Sequence, residues 1–348
     1  MTVSRLWRRV SRNVRGARAI AHSARHSYRP LLAHIVPIRR CNLACGYCNE
    51  YDHSSKPVPF AAIEGWLDRL ADLGTAFVTC SGGEPLLHPN IVEIIAGIRT
   101  RGMLPGLMSN GFLLTPSRIR ALNEAGLDYL QISIDNIEPD GTSRKSLRLL
   151  DRQLIALARL AEFDVNINTV LGGGSGHPDA VRDIAARLRA FGFSLSVGVI
   201  HNETGRLERL SDQQRLVWEE FNGRRNRLAR FFGNFYSALN GFQFNLINGR
   251  PNSWMCRAGA RYLYVSDDGL VGRCSQQRSV PGIPIDCYTA EDVQREFRTI
   301  KPCAPYCTVG CAHRVATLDW WLDPFRKPAP APGVRAPEGP SRPPEPAR

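Results

Sequence analysis

At residues 32–48 the chain reads Leu32-Ala-His-Ile-Val-Pro-Ile-Arg-Arg-Cys41-Asn-Leu-Ala-Cys45-Gly-Tyr-Cys48. Residues 32–38 are apolar and rich in branched side chains, a pattern that predicts a buried β-strand. Three cysteines follow this strand at Cys-x3-Cys-x2-Cys spacing. A thiol-rich loop directly after a buried strand indicates a binding site at the carboxyl end of that strand.

The same rhythm of short apolar runs and helical patterns continues to about residue 200. Strands are predicted at 32–38, 76–80, 104–109, 129–135, 165–171 and 195–201, and helices at 60–73, 90–101, 116–125, 144–162 and 178–191. This alternation predicts an α/β fold with a parallel sheet, because each crossover helix returns the chain to the same end of the sheet. Six strands favour a partial (β/α)6 barrel, similar to an incomplete TIM barrel, and a doubly wound sheet is the alternative.

The net charge of +13 over 348 residues is concentrated at the two ends of the chain. Residues 1–49 contain ten arginines and no acidic residue, and residues 324–348 carry five basic and two acidic side chains. The globular body between them is therefore neutral. This distribution argues against nucleic acid as a partner, since no aromatic strip accompanies the basic residues.

The ten cysteines are too sparse for a small disulfide scaffold, and no apolar signal-peptide core precedes them. They are expected to be thiols of a cytoplasmic protein, in which close grouping favours metal ligation over disulfides. No run of about 18 apolar residues occurs, so no membrane-spanning helix is predicted.

The first group, Cys41, Cys45 and Cys48, suits a four-iron cluster. Three thiolates hold three irons, and the fourth iron stays open for a cofactor or substrate. The alternative is a zinc site completed by His53 or Asp52, although zinc motifs usually contain two closely spaced ligand pairs.

This loop resembles that of the radical S-adenosylmethionine (radical SAM) superfamily, including the aromatic Tyr47 before the third cysteine. The resemblance extends to Ser81-Gly82-Gly83-Glu84-Pro85 after the second strand, which is similar to the superfamily's GGEP motif. It implies that the two glycines let the backbone approach S-adenosylmethionine (SAM) closely. Glu84 or nearby carbonyls would then receive the ammonium group of SAM.

Further SAM-binding residues are implied by the resemblance at the ends of the later strands. They are Ser109 and Asn110 after the third strand, Ser133 and Asp135 at the fourth, Asn168 in the fifth and Val199 in the sixth. Arg144 is expected to pair with the SAM carboxylate. The chain lacks the His-Asp and Arg-Gly pattern that many relatives have at this point, which leaves the choice between Arg144 and Lys145 open.

The second cysteine group is expected to bind one auxiliary four-iron cluster. Its members are Cys256, Cys274, Cys303, Cys307 and Cys311. Cys256 and the Gly-x4-Cys hairpin at 262–274 resemble the start of SPASM or twitch domains. A complete SPASM domain usually needs seven cysteines, so we expect one cluster with four of these five as ligands, and a zinc site is the alternative.

These features divide the chain into four segments. They are a basic amphipathic segment at 1–30, a radical SAM partial barrel with a linking helix at 31–245, a small α+β SPASM- or twitch-like iron-sulfur domain at 246–323, and a disordered Pro-rich tail at 324–348. The basic helix at residues 1–26 suits contact with an anionic membrane surface, a transit peptide or a cover over the barrel. The first of these would make the protein peripheral at a membrane.

The resemblance implies an enzyme that cleaves SAM reductively to a 5'-deoxyadenosyl radical, with flavodoxin or ferredoxin as electron donor. Our first interpretation is hydrogen abstraction from a small molecule or a lipid. The alternatives are a peptide maturase acting on a ribosomally made precursor, addition of the adenosyl radical to an alkene, and a noncatalytic iron-sulfur carrier. Against the peptide maturase, only about thirty residues precede the first strand, too few for a winged-helix peptide-recognition domain.

Overall fold

The computed structural model describes residues 3–172, 177–200, 207, 210–222 and 241–322. The strands are β1 Leu32–Ile38, β2 Phe77–Gly82, β3 Leu104–Ser109, β4 Tyr129–Ser133, β5 Asp164–Leu171, β6 Ser194–Val199, β7 Tyr262–Val265, β8 Leu270–Gly272 and β9 Pro281–Pro284. The helices are α1 Val3–Arg25, α2 Phe60–Asp72, α3 Ile91–Thr100, α4 Pro116–Glu124, α5 Leu147–Leu160, α6 Pro178–Phe191, α7 Asp212–Asn222, α8 Phe242–Ile247, α9 Ala290–Arg298 and α10 Gly310–Leu322.

The nine strands form one sheet in the order β6-β5-β4-β3-β2-β1-β7-β8-β9. Strands β1 to β6 are parallel to their neighbours, with Leu32 opposite Phe77 and Tyr129 opposite Asp164. Strand β1 does not pair with β6, so the six βα units make an unclosed partial barrel, and the predicted fold class is confirmed.

The predicted hairpin is present as β7 and β8, and it continues the barrel sheet. Strand β7 pairs in parallel with β1, placing Leu32 opposite Tyr262 and Ile35 opposite Val265. Strands β8 and β9 then add in antiparallel orientation. The sheet therefore runs unbroken across the segment boundary expected at residue 245.

The side chains of β1 point alternately to the two faces of the sheet. Ala33 and Ile35 are fully buried in the core that includes Ile63 and Leu67 of α2. Successive side chains of a strand point to opposite faces, so His34 faces the concave side of the sheet. On that side the His34 Nε2 lies 3.7 Å from the Cys311 sulfur.

Helix α1 packs at the amino ends of the strands, away from the cysteine loops. Arg12 forms an ion pair with Asp164, the first residue of β5, and Arg15 pairs with Asp128 just before β4 at 2.5 Å. Arg12 is 3% exposed and also donates to the Glu162 carbonyl at 3.1 Å. Among the three interpretations of the basic segment, this packing favours a cover over the barrel.

Several predicted features extend beyond the described residues. The long linking helix predicted from 212 to about 239 is helical over Asp212–Asn222, and its remainder lies outside the described part of the chain. The predicted Pro-rich tail at 324–348 also lies outside it. Among the helices that the structure describes, none is long and apolar enough to cross a bilayer.

Candidate active site

The first cysteine loop leaves β1 and folds back on itself. Asp52 closes the loop, because its carbonyl accepts from the Cys41 N–H at 3.0 Å and its own N–H donates to the Arg39 carbonyl at 3.1 Å. Inside the loop, the Leu43 N–H donates to the Cys41 thiol at 3.4 Å, and the Cys48 N–H donates to the Cys45 carbonyl at 3.0 Å. The backbone therefore holds all three cysteines at the carboxyl end of β1.

The three thiols of this site stand on one short loop. Desolvation raises the pKa of the Cys41 and Cys48 thiols, and proximity to Cys45 raises both further. Within the described residues, no three His, Cys, Asp or Glu side chains converge tightly enough for one ion. A four-iron cluster spreads its thiolates over different irons, whereas zinc needs all its ligands on one ion.

Gly82 and Gly83 let the end of β2 pack against the chain that leaves β1. A Cβ on Gly83 would lie 2.1 Å from the Arg39 carbonyl oxygen and 2.5 Å from that of Arg40. Gly82 has a φ of +112°, and its Cβ would lie 2.8 Å from the Ile38 carbonyl oxygen. The structural reason for these glycines is thus contact with the cysteine loop's own backbone, where the resemblance had implied close approach of a ligand.

Glu84 joins this turn to the end of β3. It is fully buried, and its Oε1 accepts from the Leu86 N–H at 3.0 Å and the Ser109 hydroxyl at 2.9 Å, while its Oε2 accepts from the Asn110 N–H at 2.7 Å. Burial raises the pKa of Glu84 to about 7. An incoming ammonium group would have to compete with three existing donors for this carboxyl.

Asn110 extends the connection to the cysteine loop. Its side-chain amide donates to the Asn42 side-chain oxygen at 2.7 Å and lies 3.8 Å from the Cys41 sulfur. Its side-chain oxygen accepts from the Phe112 N–H at 3.1 Å, which fixes the orientation of the amide. Glu84 and Asn110 therefore link β2, β3 and the cysteine loop.

A buried polar network surrounds Asp135, just beyond β4. Its Oδ2 accepts from the Tyr47 hydroxyl at 2.6 Å and the Ser143 hydroxyl at 2.7 Å, and it lies 3.4 Å from the Lys145 ammonium. Its Oδ1 is buried without a hydrogen-bond partner among the described residues. The Ser143 hydroxyl is also 3.9 Å from the Cys45 sulfur. A buried carboxylate oxygen without a partner, beside the cysteine loop, marks a place for a ligand donor.

Lys145, rather than Arg144, points into this network. Arg144 is exposed, whereas the side chain of Lys145 is 12% exposed and its ammonium lies 4.8 Å from the Tyr47 ring centroid. Burial lowers the pKa of Lys145, but the negative charge of Asp135, with smaller contributions from its other neighbours, outweighs burial and the net shift is upward. We expected Arg144 to face the site, but Lys145 does so instead, because these two neighbouring residues face opposite ways.

The remaining predicted cofactor residues line the same end of the sheet. Ser133 lies opposite Asn168 in the β4–β5 register, and the Asn168 side-chain oxygen accepts from Ser196 at 3.0 Å. Val199 ends β6 and is buried, and Pro85 begins a short 3-10 turn after Glu84. The structure therefore brings the predicted residues to one edge, except for the outward-facing Arg144.

One segment of the second cysteine group contacts the end of the first cysteine loop. Arg278, four residues after Cys274, donates to the Asn49 carbonyl at 3.0 Å and to its side-chain oxygen at 3.1 Å, and it lies 3.5 Å from the Glu50 carboxylate. Asn49 and Glu50 directly follow Cys48, so the two cysteine-bearing segments are in contact. All ten cysteines are free thiols.

His313 is stacked between two aromatic rings and faces a carbonyl. Its ring centroid lies 3.8 Å from that of Phe242 and 3.7 Å from that of Trp254, and its Nε2 lies 3.0 Å from the Cys307 carbonyl oxygen. Burial lowers the pKa of His313 to about 3, so the ring is neutral. Its Nε2 thus donates to the backbone of a thiol-bearing residue and holds that residue against α10.

Sequence reasoning missed three side chains at this site. His34 and Tyr262 meet across β1 and β7, with the Tyr262 hydroxyl 3.2 Å from the His34 Nδ1, and Arg278 joins the two cysteine segments. His34 could have been identified from the sequence, because it is a polar residue at an inward position of a buried strand. The pairing of β7 with β1 leaves no local signal in either segment.

Comparisons with known protein sequences find one matching family model and relatives that share one name. Residues 35–199 match the sequence model described as the radical SAM superfamily. The PqqA peptide cyclase of Gluconobacter oxydans is 33% identical over 134 residues, which span 37% of this chain and 37% of that relative. The PqqA peptide cyclase of Bradyrhizobium diazoefficiens is 26% identical over 276 residues, or 74% of this chain and 70% of the relative. The chain therefore spans well under half the length of the Gluconobacter relative and 70% of the length of the Bradyrhizobium relative.

Solved structures agree on the fold. SuiB of Streptococcus suis bound to the precursor peptide SuiA superposes with a TM-score of 0.57 at 17% identity, covering 85% of this chain and 74% of SuiB. Native anSMEcpe with bound AdoMet and a Cp18Cys peptide gives a TM-score of 0.54 at 15% identity, covering 85% of this chain and 98% of that structure. At these identities the likeness establishes the partial-barrel fold.

Proposed function

We propose that this chain, whose residues 35–199 match the radical SAM superfamily model, is a radical SAM enzyme that modifies a ribosomally made precursor peptide. The observation that carries the proposal is the match to proteins named PqqA peptide cyclase, which for one relative extends over 74% of this chain. SuiB, which shares the fold, has been solved with a precursor peptide bound. Peptide maturation was the alternative to our first interpretation, and these relatives favour it over a small-molecule or lipid substrate.

In this proposal Cys41, Cys45 and Cys48 would hold a four-iron cluster, and the residues around this loop would hold SAM beside it. Together these groups would supply radical chemistry that can break a C–H bond of the substrate. The donor set supports the assignment, because three thiols stand on one short loop, and Tyr47 of that loop donates to Asp135, a buried carboxylate whose Oδ1 has no partner among the described residues. Reduction would come from a flavodoxin or ferredoxin.

The chain's own residues would bind and orient SAM. The partner-free Oδ1 of Asp135 can accept a hydrogen bond from a ligand hydroxyl or ammonium, while Tyr47 and Ser143 hold Oδ2 in place. Lys145 brings the buried positive charge that the SAM carboxylate needs, a role that we first expected for Arg144. Ser133, Asn168 and Val199 would contact the rest of the nucleoside.

The second cysteine group is proposed to hold the auxiliary four-iron cluster. Its support is the contact of Arg278 with Asn49 and Glu50, two residues that directly follow the first cysteine loop. We keep residues 31–245 and 246–323 as proposed functional units that share one continuous sheet, and the cytoplasm as the proposed location.

An anaerobic assay with reductant and SAM tests the proposal. The substrates are synthetic peptides translated from short open reading frames that flank the gene, and mass spectrometry reads both peptide mass and 5'-deoxyadenosine. We expect one peptide to change mass by loss of hydrogen, in the wild type and in Cys287→Ala, whose exposed thiol lies outside both groups. Cys45→Ala should yield neither product.

A different result would redirect the proposal. If lipid vesicles or small-molecule extracts stimulate 5'-deoxyadenosine formation and every flanking peptide leaves it unchanged, peptide maturation is wrong and our first interpretation returns. Formation of 5'-deoxyadenosine by Cys45→Ala would contradict the assignment of the first cluster.

A further inference from the structure

Helix α1 packs on the barrel with a polar side. Arg12, Gly16 and Ser23 are buried, and their spacing places them on one side of the helix. A Cβ on Gly16 would lie 3.2 Å from the Tyr129 hydroxyl oxygen, so the helix backbone lies close to the barrel here. A surface helix usually turns its apolar side to the core, whereas α1 turns a buried arginine to it.

The apolar side of α1 faces the solvent instead. Val10 is 42% exposed and Val14 is 43% exposed, and Ala17 and Ala21 are also exposed. These four residues follow one another at steps of four, three and four positions, which places them in one row along the helix. We call this row the outer stripe. An apolar row of this kind on the outside of a helix marks a contact surface.

The charge around the outer stripe is positive. Arg12 and Arg15 form ion pairs with barrel carboxylates, so they are directed away from the stripe. Arg18 and Arg25 are exposed, and their positions in the helix are next to the stripe. Residues 1–49 contain no acidic side chain that could oppose them. A partner that fits this face therefore combines negative charge with an apolar layer.

We propose that the outer stripe binds an anionic membrane surface, with Arg18 and Arg25 next to the lipid phosphates. A basic amphipathic helix that lies in the plane of the bilayer buries its apolar side among the headgroups and attracts anionic lipids. The ion pairs of Arg12 and Arg15 hold α1 on the barrel as a helix, so binding does not have to order it. The helix thus covers the barrel with one side and contacts lipid with the other. This inference does not depend on the identity of the substrate.

Membrane binding through the outer stripe also fixes which end of the barrel faces the lipid. Arg12 and Arg15 attach α1 to the amino ends of β5 and β4, whereas the first cysteine loop follows the carboxyl end of β1. Strands β1 to β6 are parallel, so these two places lie at opposite ends of the sheet. The membrane-bound protein therefore holds its cysteine loop away from the lipid, and a substrate reaches it from solution.

Flotation of the full-length protein with vesicles tests the proposal. The vesicles contain phosphatidylglycerol and phosphatidylcholine in equal parts, or phosphatidylcholine alone. We expect the wild type to float with the anionic vesicles only, and Val10→Asp/Val14→Asp to lower its partition coefficient at least about tenfold. Arg18→Gln should lower it about fivefold. The matched control, Leu149→Asp/Leu216→Asp, makes the same change of charge at exposed apolar residues of α5 and α7 and should bind like the wild type.

Circular dichroism checks the folding of each variant, and Val10→Ser/Val14→Ser replaces the aspartate variant if that variant unfolds. A wild type that does not float, or that floats equally with both kinds of vesicle, would overturn the proposal. Equal flotation of the wild type and the stripe variants would overturn it as well. Light scattering adds one more outcome: a dimeric wild type that becomes monomeric in Val10→Asp/Val14→Asp would show that a second copy of the chain covers the outer stripe, which also contradicts the proposal.

Discussion

The replacement of Gly83 by alanine offers a sharp test of how the site is built. The new Cβ would lie 2.1 Å from the Arg39 carbonyl oxygen and 2.5 Å from that of Arg40, both backbone atoms. The end of β2 would have to move away from the cysteine loop by more than about 1 Å to restore ordinary contact. Overpacking of this kind typically costs about 1–3 kcal/mol.

The movement also weakens backbone hydrogen bonds at the same place. The Gly83 N–H donates to the Ile38 carbonyl at 3.2 Å, and the Glu84 N–H donates to the Arg40 carbonyl at 3.0 Å. Each is worth about 1 kcal/mol. We therefore expect Gly83→Ala to lower the free energy of unfolding by about 2–4 kcal/mol.

Urea denaturation of the metal-free protein, followed by circular dichroism, measures this loss without any ligand present. The matched control is Gly65→Ala in α2, where nothing lies within 4 Å of the added Cβ and the free energy of unfolding should rise by about 0.5–1 kcal/mol. If Gly83→Ala unfolds within about 0.5 kcal/mol of wild type, contact with the cysteine loop's backbone is not what requires this glycine. The role of Gly83 would then be to let a ligand approach the backbone closely.

Buried charges at three further positions should be measurable in stability or in SAM binding. Burial raises the folded-state pKa of Glu84 to about 7, so the free energy of unfolding of the wild type should fall by about 3 kcal/mol as pH rises from about 4.5 to 7. Urea titrations at several pH values should show that Glu84→Gln lacks this part of the pH dependence. Arg12→Met should lower the free energy of unfolding by about 1–3 kcal/mol. A double-mutant cycle with Asp164→Asn should give a coupling energy below about 1 kcal/mol, because Asp164 is half exposed. Asp135→Asn should weaken SAM binding to the reconstituted protein about 10- to 100-fold in equilibrium dialysis, because an acceptor for a ligand hydrogen bond becomes neutral.

Two of these three predictions have a matched control variant. Arg18 is exposed on α1, so Arg18→Met should leave stability unchanged if α1 is held by Arg12. Asp151 forms an exposed pair with Arg187, and Asp151→Asn should leave SAM affinity unchanged. Equal pH profiles for wild type and Glu84→Gln, or equal SAM affinity for wild type and Asp135→Asn, would contradict the corresponding assignment.

The sequence predicted the six barrel strands closely. Strands β1 and β3 have the predicted bounds, and the bounds of the other four differ by no more than two residues. Each strand is a short branched run between helical patterns, so its signal is local. The cysteine spacing and the Gly-Gly-Glu-Pro turn were local signals too, and in the structure both segments lie where β1 and β2 end.

What the sequence did not predict depends on contacts between distant segments. The pairing of β7 with β1 joins residues more than 200 positions apart, and no periodicity encodes it. The choice between Arg144 and Lys145 depends on which way the chain turns after Asp135, whose N–H donates to the Lys145 carbonyl at 2.8 Å. The position of Cys311 beside His34 likewise follows from how α10 packs against the sheet.

The two proposed clusters are tested most directly by the iron and labile sulfide content per chain after anaerobic reconstitution, in the wild type and in the variant with Cys41, Cys45 and Cys48 changed to Ala. We expect about eight irons in the wild type and about four in the variant, which corresponds to two four-iron clusters. A wild type with about four irons and a variant with none would contradict the auxiliary cluster. Equal iron in both proteins would contradict the assignment of the first cysteine loop.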